Sequence, residues 1–280
     1  MLKNLLAVFT ILIAFATTSS AQNKYFLTYF NKAQKLYDAA DYVNAKLNYD
    51  SALKKNPNHA FSYFKRGIVL YNVDKMQDAI KDFNTSIFLD PTNAGAYNFR
   101  GDTKINLSDT LGGMKDLDTS IILEPKNYSF RIDRGIAYLD ANANQLALKD
   151  FKYAYTLDST RYKAPFNTGI AFYNLDVNDS AIAFFNKASA IDSTASGPYY
   201  FRAKILYTID SYDKALLEIN TAIKLNDKKA YYFVTRAKIY MFNESEYDDE
   251  MAIEDLKKAI KMGSEEAKEL LAEYFSEGDA

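Results

Sequence analysis

The stretch 60–93 contains two runs in which apolar and small residues recur at the spacing of an α-helix. Within each run these residues lie at i, i+4, i+7 and i+8, which places them on one side of a helix. We therefore predict two amphipathic helices whose apolar stripes face each other. Pro91 ends the second helix, because proline restricts the residue before it and lacks an amide hydrogen. The stripe residues are Tyr63, Gly67, Leu70 and Tyr71 in the first helix and Ala79, Phe83, Ser86 and Ile87 in the second.

The same unit recurs every 34 residues. Six copies follow one another from residue 26 to residue 229 without an insertion or deletion, and a seventh begins at Ala230. Self-similarity at a fixed period of this length is typical of a repeat architecture. The predicted copies are 26–59, 60–93, 94–127, 128–161, 162–195, 196–229 and 230–263.

Each copy has a small residue in its first helix and a large apolar residue in its second, so the two helices can approach closely. The small residues are Ala33, Gly67, Gly101, Gly135, Gly169, Ala203 and Ala237. The large residues are Tyr49, Phe83, Leu117, Phe151, Phe185, Ile219 and Leu256. Together with the helix-ending proline of the first three copies, this signature resembles the tetratricopeptide repeat family over about residues 26–280.

The resemblance implies an all-α fold, a right-handed superhelical solenoid of antiparallel helix pairs. Seven repeats would occupy 22–263, and a C-terminal capping helix and tail would occupy 264–280. The aromatic residue usual early in the first helix is replaced by Arg131 and Pro165 in copies four and five. The local packing of those two copies therefore stays open.

Residues 1–21 have the three parts of a secretory signal peptide. Lys3 forms a short basic head, an uncharged apolar run extends over 5–16, and small polar residues end at Ala21. We expect cleavage before Gln22, so that the mature chain reaches the periplasm, the extracellular space or the cell envelope without an integral membrane span. The alternative is an uncleaved anchor, which the run disfavours because a span needs roughly 20 apolar residues. No cysteine follows, so we do not expect a lipid-anchored form.

Composition narrows the class of function. The chain carries 34 basic and 36 acidic residues, a net charge of −2, so no strong positive field favours nucleic acid or anionic lipid. It contains no cysteine, which excludes a disulfide framework and a thiolate site. His59 is the only histidine, and a single histidine provides neither a zinc site nor a Ser-His nucleophile. We expect His59 at the surface, and we expect no enzyme activity, cofactor or metal.

Copy seven carries a three-residue insertion, and its turn at 243–250 holds five carboxylates. One interpretation is a site for a cation or a basic partner. The other is a solvated loop whose acidic residues favour the N-terminus of the next helix. The second is preferred, because the central glycine of a calcium loop is absent.

Charged residues also recur with the repeat period. Five copies have an arginine at position 7 of the unit and an acid at position 23, and copy five lacks both. This joint variation predicts an ion pair between the two helices of one copy. Pairing of the arginine with the acid at position 23 of the preceding copy fits the substitutions less well. The predicted pairs are Arg66 with Asp82, Arg100 with Asp116, Arg134 with Asp150, Arg202 with Glu218 and Arg236 with Asp255.

The family resemblance also implies where a partner binds. In that family, unit positions 2, 5, 6, 9, 12 and 13 of the first helix line the inner face of the superhelix. Here these positions mix aromatic rings, which provide contact area, with asparagine amides, which bond a peptide backbone. The alternative is that the rings pack between neighbouring copies. The candidate partner-binding residues are Phe64, Tyr71, Asn72, Phe99, Asp102, Asn106, Phe166, Asn167, Tyr173, Asn174, Tyr200, Lys204, Tyr207 and Lys238.

Two classes of function fit this pattern. The first is a non-catalytic protein-protein interaction scaffold that holds a peptide or protein segment on its concave face. The second is a carbohydrate- or cell-wall-associated binding protein whose exposed aromatic residues stack on sugars. A sugar site would cluster aromatic residues in one copy, and the even spread of Tyr71, Tyr173 and Tyr207 favours the first class. We expect no recognition of a C-terminal chaperone tail, because the asparagine that the family's two-carboxylate clamp needs at position 9 is absent.

Overall fold

The computed structural model describes residues 23–243 and 248–275. Within those residues the chain forms fifteen α-helices and no β-strand, which confirms the predicted all-α fold. The predicted signal peptide and residues 244–247 of the acidic turn lie outside the described residues. The chain divides into two compact units, Met1–Ala137 (unit 1) and Tyr138–Ala280 (unit 2).

The helices follow the 34-residue spacing of the sequence pattern. The first is α1 at 23–38. The others are α2 (Tyr42–Lys55), α3 (Ala60–Asn72), α4 (Met76–Leu89), α5 (Ala94–Asn106), α6 (Thr110–Leu123), α7 (Tyr128–Asp140), α8 (Asn144–Leu157), α9 (Lys163–Tyr173), α10 (Asn178–Ile191), α11 (Gly197–Thr208), α12 (Tyr212–Leu225), α13 (Ala230–Phe242), α14 (Asp249–Lys261) and α15 (Glu265–Tyr274). The residues at the unit boundary belong to α7.

In unit 1, the helices from α2 to α6 each pack on the next one along the chain. The rings and side chains of the predicted stripes form the contact, with Phe83 fully buried and Leu117 nearly so. A Cβ atom added to Gly67 would lie 2.5 Å from Phe83 Cε1, which is too close for a real contact. Glycine is therefore required where α3 meets α4, because the interior is close-packed and cannot accept the extra atom.

In unit 2, successive helices from α8 to α15 pack in the same order. A Cβ atom added to Gly169 would lie 2.6 Å from Phe185 Cε1, which repeats the contact of the first unit. In the next pair Ala203 meets the smaller Ile219, and both are fully buried. In this pair the isoleucine side chain leaves room for a Cβ atom on the facing helix.

Pro165 lies in the first turn of α9 and is buried there. The first four backbone N–H groups of a helix have no partner within it, so proline loses no hydrogen bond at this place. This arrangement explains how copy five accommodates the proline whose packing the sequence left open.

A sharp turn joins the two helices of each pair. In six copies the residue at position 15 of the unit has a positive φ between 55° and 69°. This left-handed conformation favours glycine, and asparagine or aspartate tolerate it better than other residues. The residues are Ala40, Asp74, Ser108, Asn142, Asp176 and Asp210. Four of them are aspartate or asparagine, which suit the turn, whereas packing of the paired helices imposes it on Ala40 and Ser108.

The last described helix, α15, packs against α14 and shares a core cluster with α13. Ser264 is its N-cap, and the Ser264 hydroxyl accepts a hydrogen bond from the Ala267 amide at 3.2 Å. Ala267 and Phe275 are buried in one core cluster with residues of α13 and α14. No helix among the described residues is both long and apolar enough to cross a bilayer.

The expectation that His59 lies at the surface holds only in part, because its side chain is half-buried. His59 is the N-cap of α3, and its Nδ1 accepts a hydrogen bond from the Ser62 amide at 3.1 Å. Its ring also packs against Phe26 and Phe30, at centroid distances of 4.7 and 5.5 Å. The turn that follows Pro57 brings the imidazole back over α1, which the local sequence does not reveal.

Candidate functional site

The candidate partner-binding face consists of unit positions 2, 5, 6, 9, 12 and 13 of the first helices, and we call it the first-helix face. In unit 1 it includes exposed Asn72 and Asn106 and half-buried Tyr71, Phe99 and Asp102. In unit 2 it includes exposed Asn174 together with the half-buried residues Phe166, Tyr173, Tyr200, Lys204, Tyr207 and Lys238.

Tyr71 links two neighbouring copies on this face of unit 1. Its hydroxyl donates to Asp102 Oδ2 at 2.5 Å and accepts from Asn106 Nδ2 at 3.3 Å. Burial, together with the hydrogen bond to Asp102, raises the pKa of Tyr71 to about 12. The tyrosine therefore stays protonated and donates to a carboxylate at neutral pH.

Two asparagines of unit 1 share one geometry. Asn72 Nδ2 donates to Tyr37 Oη of the preceding copy at 3.4 Å, and Asn106 Nδ2 donates to Tyr71 Oη in the same way. In unit 2, Asn174 Nδ2 donates to Asn144 Oδ1 at 3.2 Å. These distances lie at or beyond the long end of the N–H···O range, so the bonds are weak.

The first-helix face of unit 2 is basic and rich in tyrosine. Lys204 Nζ lies 5.1 Å from the ring centroid of Tyr173 and 5.8 Å from that of Tyr200. Burial lowers the pKa of Lys204, but its contacts with the tyrosines outweigh burial and hold that pKa above its ordinary value. Lys238 Nζ pairs with Glu266 of α15 at 2.6 Å.

Aromatic residues of copies six and seven cluster beside this lysine. The ring centroids of Tyr200, Tyr231 and Tyr232 are each 4.9 Å from the other two. Tyr231 is 43% exposed, whereas Tyr232 is buried and its hydroxyl donates a hydrogen bond to Ser196 Oγ at 2.9 Å. Only Tyr231 therefore presents much of its surface to solvent.

Two candidate residues are poorly placed for a partner. Phe64 is buried and packs against Phe83 and Phe99, at centroid distances of 6.3 and 5.8 Å. Asn167 is buried in α9. We therefore remove both from the surface that a partner could contact, because their side chains contribute to the packing of the copies.

The half-buried tyrosines serve neighbouring copies as well. Tyr71 packs edge-on against Phe99, Tyr173 packs against Phe201, and Tyr207 packs against both Tyr212 and Phe242. Packing between copies is the alternative that the sequence left open, and it thus accounts for the burial of part of each ring. The exposed remainder is available for contact with a partner.

The arginines at position 7 lie at the second helix of their own copy. Arg66 contacts Asp82 through two parallel hydrogen bonds, from Nε and Nη2, each 2.7 Å long. Equivalent two-point contacts join Arg100 to Asp116, Arg202 to Glu218 and Arg236 to Asp255. Arg134 lies in unit 1 and Asp150 lies in unit 2, so their pairing stays a prediction.

Sequence reasoning missed a second contact of these arginines. Arg66 Nη1 also donates to Asp50 of the preceding copy at 2.7 Å, and Arg134 Nη1 donates to Asp118 at 2.8 Å. In the same way, Asn84 Oδ1 accepts a hydrogen bond from Arg100 Nη1, and Asn220 Oδ1 accepts one from Arg236 Nη1. These four acceptors lie at position 25 of the unit, whereas Arg202 Nη1 donates to Ser189 at position 28. Each arginine therefore joins two copies rather than the two helices of one copy alone.

A signal for this contact exists in the sequence. Position 25 is aspartate or asparagine in the copies that precede an arginine, but it is Lys152 in the copy that precedes Thr168. In copy five Phe184 stacks instead on Phe172, at a centroid distance of 5.6 Å, and Lys152 Nζ lies 4.8 Å from the Phe172 ring. The ion-pair network is replaced there by aromatic and cation-π contacts.

No three side chains of His, Cys, Asp or Glu lie together as a metal site among residues 23–243 and 248–275. In each unit the first-helix face carries rings, amides and single charges.

Helix pairs that recur every 34 residues and pack in chain order are typical of helical-repeat proteins. The tetratricopeptide repeat family matches the chain over residues 30–94, less than a quarter of its length. No curated protein matches the chain. Solved structures of tetratricopeptide repeat proteins match most of it, and this confirms the predicted fold of repeated helix pairs.

One similar structure is a tetratricopeptide repeat protein from Parabacteroides merdae, with 21% identity over 89% of this chain and 98% of that chain and a TM-score of 0.68. Another is pilF of Pseudomonas aeruginosa, with 16% identity, coverage of 76% and 97%, and a TM-score of 0.67. A third is YrrB, described as a TPR protein with an unusual peptide-binding site, with 18% identity, coverage of 66% and 95%, and a TM-score of 0.54. At these identities the likeness concerns the fold alone.

Proposed function

We propose that the chain is a non-catalytic scaffold that binds an extended segment of a partner protein along its first-helix face. The observation that carries this proposal is the set of exposed asparagines, Asn72, Asn106 and Asn174, whose amides make only long hydrogen bonds at 3.4, 3.3 and 3.2 Å. A peptide backbone offers both a donor and an acceptor to each amide, so exchange costs little and gains better geometry.

The rings beside these amides support the proposal. The half-buried tyrosines are held by packing against neighbouring copies, so little side-chain entropy is lost when a partner covers them. A solved protein of similar fold, YrrB, is described as having a peptide-binding site. Protein binding is also the role that this class of fold suits best, since stacked repeats present long surfaces.

A peptide array tests the proposal. The probe is a library of acetylated and amidated decapeptides, and the protein is the chain from Gln22 onward. We expect the wild-type protein to bind a defined subset of peptides, and the triple variant N72A/N106A/N174A to lose about tenfold in signal on that subset. The thermal midpoint of the triple variant should stay within a few degrees of the wild type.

The matched control is the double variant N48A/N186A, which removes two asparagine amides from second helices. We expect it to bind like the wild type. Undiminished binding by the folded triple variant would place the site away from the first-helix face, and loss of binding in the control would show that the effect is not specific to it.

The proposed location is the periplasm or cell envelope, with cleavage of the signal peptide before Gln22. The basic Lys3 and the apolar run at 5–16 support this part of the proposal. Mass spectrometry of the native protein should find an N-terminus at or within a few residues of Gln22. An intact Met1 on a membrane-bound chain would contradict it.

Carbohydrate binding is a second candidate, favoured by one observation. The rings of Tyr200, Tyr231 and Tyr232 cluster in unit 2, as a sugar site would require. The rings meet edge-to-face or tilted, however, and Tyr231 alone is well exposed. A glycan array probed with the wild type and with Y231A distinguishes the two candidates. Specific glycan binding by the wild type that is lost in Y231A would favour carbohydrate binding over peptide binding.

A further inference from the structure

One column of polar side chains on α5 carries more hydrogen-bonding capacity than the fold uses. Asn98, Asp102 and Asn106 follow one another at intervals of four residues, so they lie on the same side of the helix. All three occupy positions of the first-helix face in unit 1. The column therefore borders the surface proposed for a partner, and the inference below rests on that proposed function.

Asp102 is half-buried and negatively charged, yet it has no positive partner. Its Oδ2 accepts hydrogen bonds from Tyr71 Oη at 2.5 Å and from Asn106 Nδ2 at 3.4 Å. The basic residues of α5, Arg100 and Lys104, both pair with Asp116 on the other side of the helix. No ion pair in the described part of unit 1 includes Asp102.

Asn98 adds a second, independent observation. It is 5% exposed, and its Nδ2 donates to Asp133 Oδ2 at 2.7 Å. The carboxylate fixes the orientation of the amide, because a flipped amide would set oxygen against oxygen. Asn98 Oδ1 is then buried without a hydrogen-bond partner among the described residues. A buried carbonyl in this state is costly, and a donor from outside the fold would relieve that cost.

The local electrostatics favour a cationic donor. The charges of Asp102 and Asp133 both act on the Tyr71 hydroxyl and, after burial, contribute to its raised pKa. A metal ion does not fit, because the column offers no three carboxylate or imidazole ligands in the described residues. A nitrogen cation with several N–H groups fits better, since it can donate to Asp102 and to an amide oxygen together.

We propose that Asp102 and Asn98 form a site for one basic side chain, lysine or arginine, of the bound partner segment. The ammonium or guanidinium group pairs with the half-buried carboxylate of Asp102, in the middle of the column. It also donates to the unpartnered Asn98 Oδ1. Tyr71 and Asn106 position the Asp102 carboxylate through their hydrogen bonds and do not themselves select the charge.

A positional-scanning version of the peptide library tests this site. Each sublibrary holds one residue type at one position of an acetylated, amidated decapeptide, and the flanking positions are mixed. We expect the wild-type protein to prefer lysine or arginine over glutamate by about tenfold at one position, and comparison of the two basic sublibraries tells which is taken. The variant D102N should reduce this preference to less than about threefold.

One matched control separates ligand binding from structure. D78N removes an exposed carboxylate of α4 that pairs with Lys81 outside the first-helix face, and it should leave the preference unchanged. Circular dichroism of each variant at the binding temperature shows whether it is folded.

The outcomes distinguish this inference from the proposed function. Peptide binding without any preference for a basic residue would overturn the cation site and leave peptide binding in place. A preference that survives in folded D102N, or that disappears equally in D78N, would also overturn it. Absence of binding to any peptide would contradict both proposals.

Discussion

Arg66 shows how a single residue couples three helices. It lies on α3 and bonds Asp82 on α4 with two nitrogens and Asp50 on α2 with the third. Burial lowers the pKa of the arginine, but the hydrogen bonds to the two carboxylates outweigh burial, and the pKa lies above the usual value. The guanidinium is therefore charged under all ordinary conditions and acts as a fixed link between copies.

The two carboxylates should contribute unequally. Asp82 has an 8% exposed side chain and a two-point contact, whereas the side chain of Asp50 is 27% exposed. We expect D82A to lower the free energy of unfolding by about 2–4 kcal/mol and D50A, the matched control, by about 0–1 kcal/mol. Urea denaturation of both variants measures the difference. Equal losses would contradict the view that the two-point contact is the stronger one.

His59 is the only histidine of the chain, so a histidine titration reports on this one imidazole. Burial of the ring lowers the pKa of His59, and its neutral Nδ1 accepts from the Ser62 amide. As pH falls through about 6.5, the unfolded chain binds a proton before the folded chain does. The contribution of His59 to the free energy of unfolding is therefore fully present above this pH. It declines below this pH until the lower pKa of the folded state is passed.

The variant H59N tests this linkage, because asparagine also accepts a hydrogen bond at an N-cap but does not titrate. We expect the loss of stability between about pH 7.5 and about pH 5.5 to be smaller in H59N than in the wild type. Urea midpoints at the two pH values provide the comparison, and the imidazole resonance in NMR provides the folded pKa. Identical pH dependence in both proteins would contradict a lowered pKa of His59.

At the scale of helices and turns, packing decides conformations that the local residues disfavour. Ala40 has a φ of 57° in the turn between α1 and α2, and its amide bonds Tyr37 O at 2.9 Å. The left-handed conformation is sterically unfavourable for alanine, because its Cβ approaches the following carbonyl oxygen. The helices it connects hold it there through their shared core, which includes Ala33 and Tyr49.

Replacement of Ala40 by glycine should relieve that cost. We expect A40G to raise the free energy of unfolding by about 0.5–1 kcal/mol, since glycine adopts positive φ without a clash. The control A39G lies one residue earlier, where φ is not positive, and it should lower stability or leave it unchanged. A thermal or urea midpoint for each variant distinguishes the two. A loss of stability in A40G would mean that the turn stores no strain.

At the scale of the whole molecule, contacts between helices that follow one another along the chain stabilise each unit. In unit 2 the last such contact is made by α15, whose Leu270 and Leu271 pack against buried residues of α13 and α14. The stability of α15 therefore depends on a few side chains.

Phe275 is the largest of these side chains and is 7% exposed, whereas neighbouring Tyr274 is 48% exposed. We expect F275A to lower the stability of α15 by about 3 kcal/mol, and Y274A, the matched control, to lower it by less than about 1 kcal/mol. Hydrogen exchange of the α15 amides measures the effect at the helix itself. Similar exchange rates in both variants would mean that the stability of α15 does not depend on Phe275.

The pattern along the chain was sufficient to predict the helices. The period of 34 residues, the small residues such as Gly67 and the large ones such as Phe83 identify which surfaces meet, because one apolar stripe can be buried only against another. The same pattern located the arginines and the acids of their own copies. These features depend on neighbours in the chain, and a repeat makes such neighbours close in space as well.

Other features depend on residues brought together from different copies. The contact of Arg66 with Asp50, the packing of His59 on Phe26, and the unpartnered Asn98 oxygen beside Asp133 are of this kind. Periodicity indicates the face on which a side chain lies, but not which atom of the next helix it reaches. That choice is made when the helices pack, because hydrogen-bond partners, burial and turn conformations are then satisfied together and not one copy at a time.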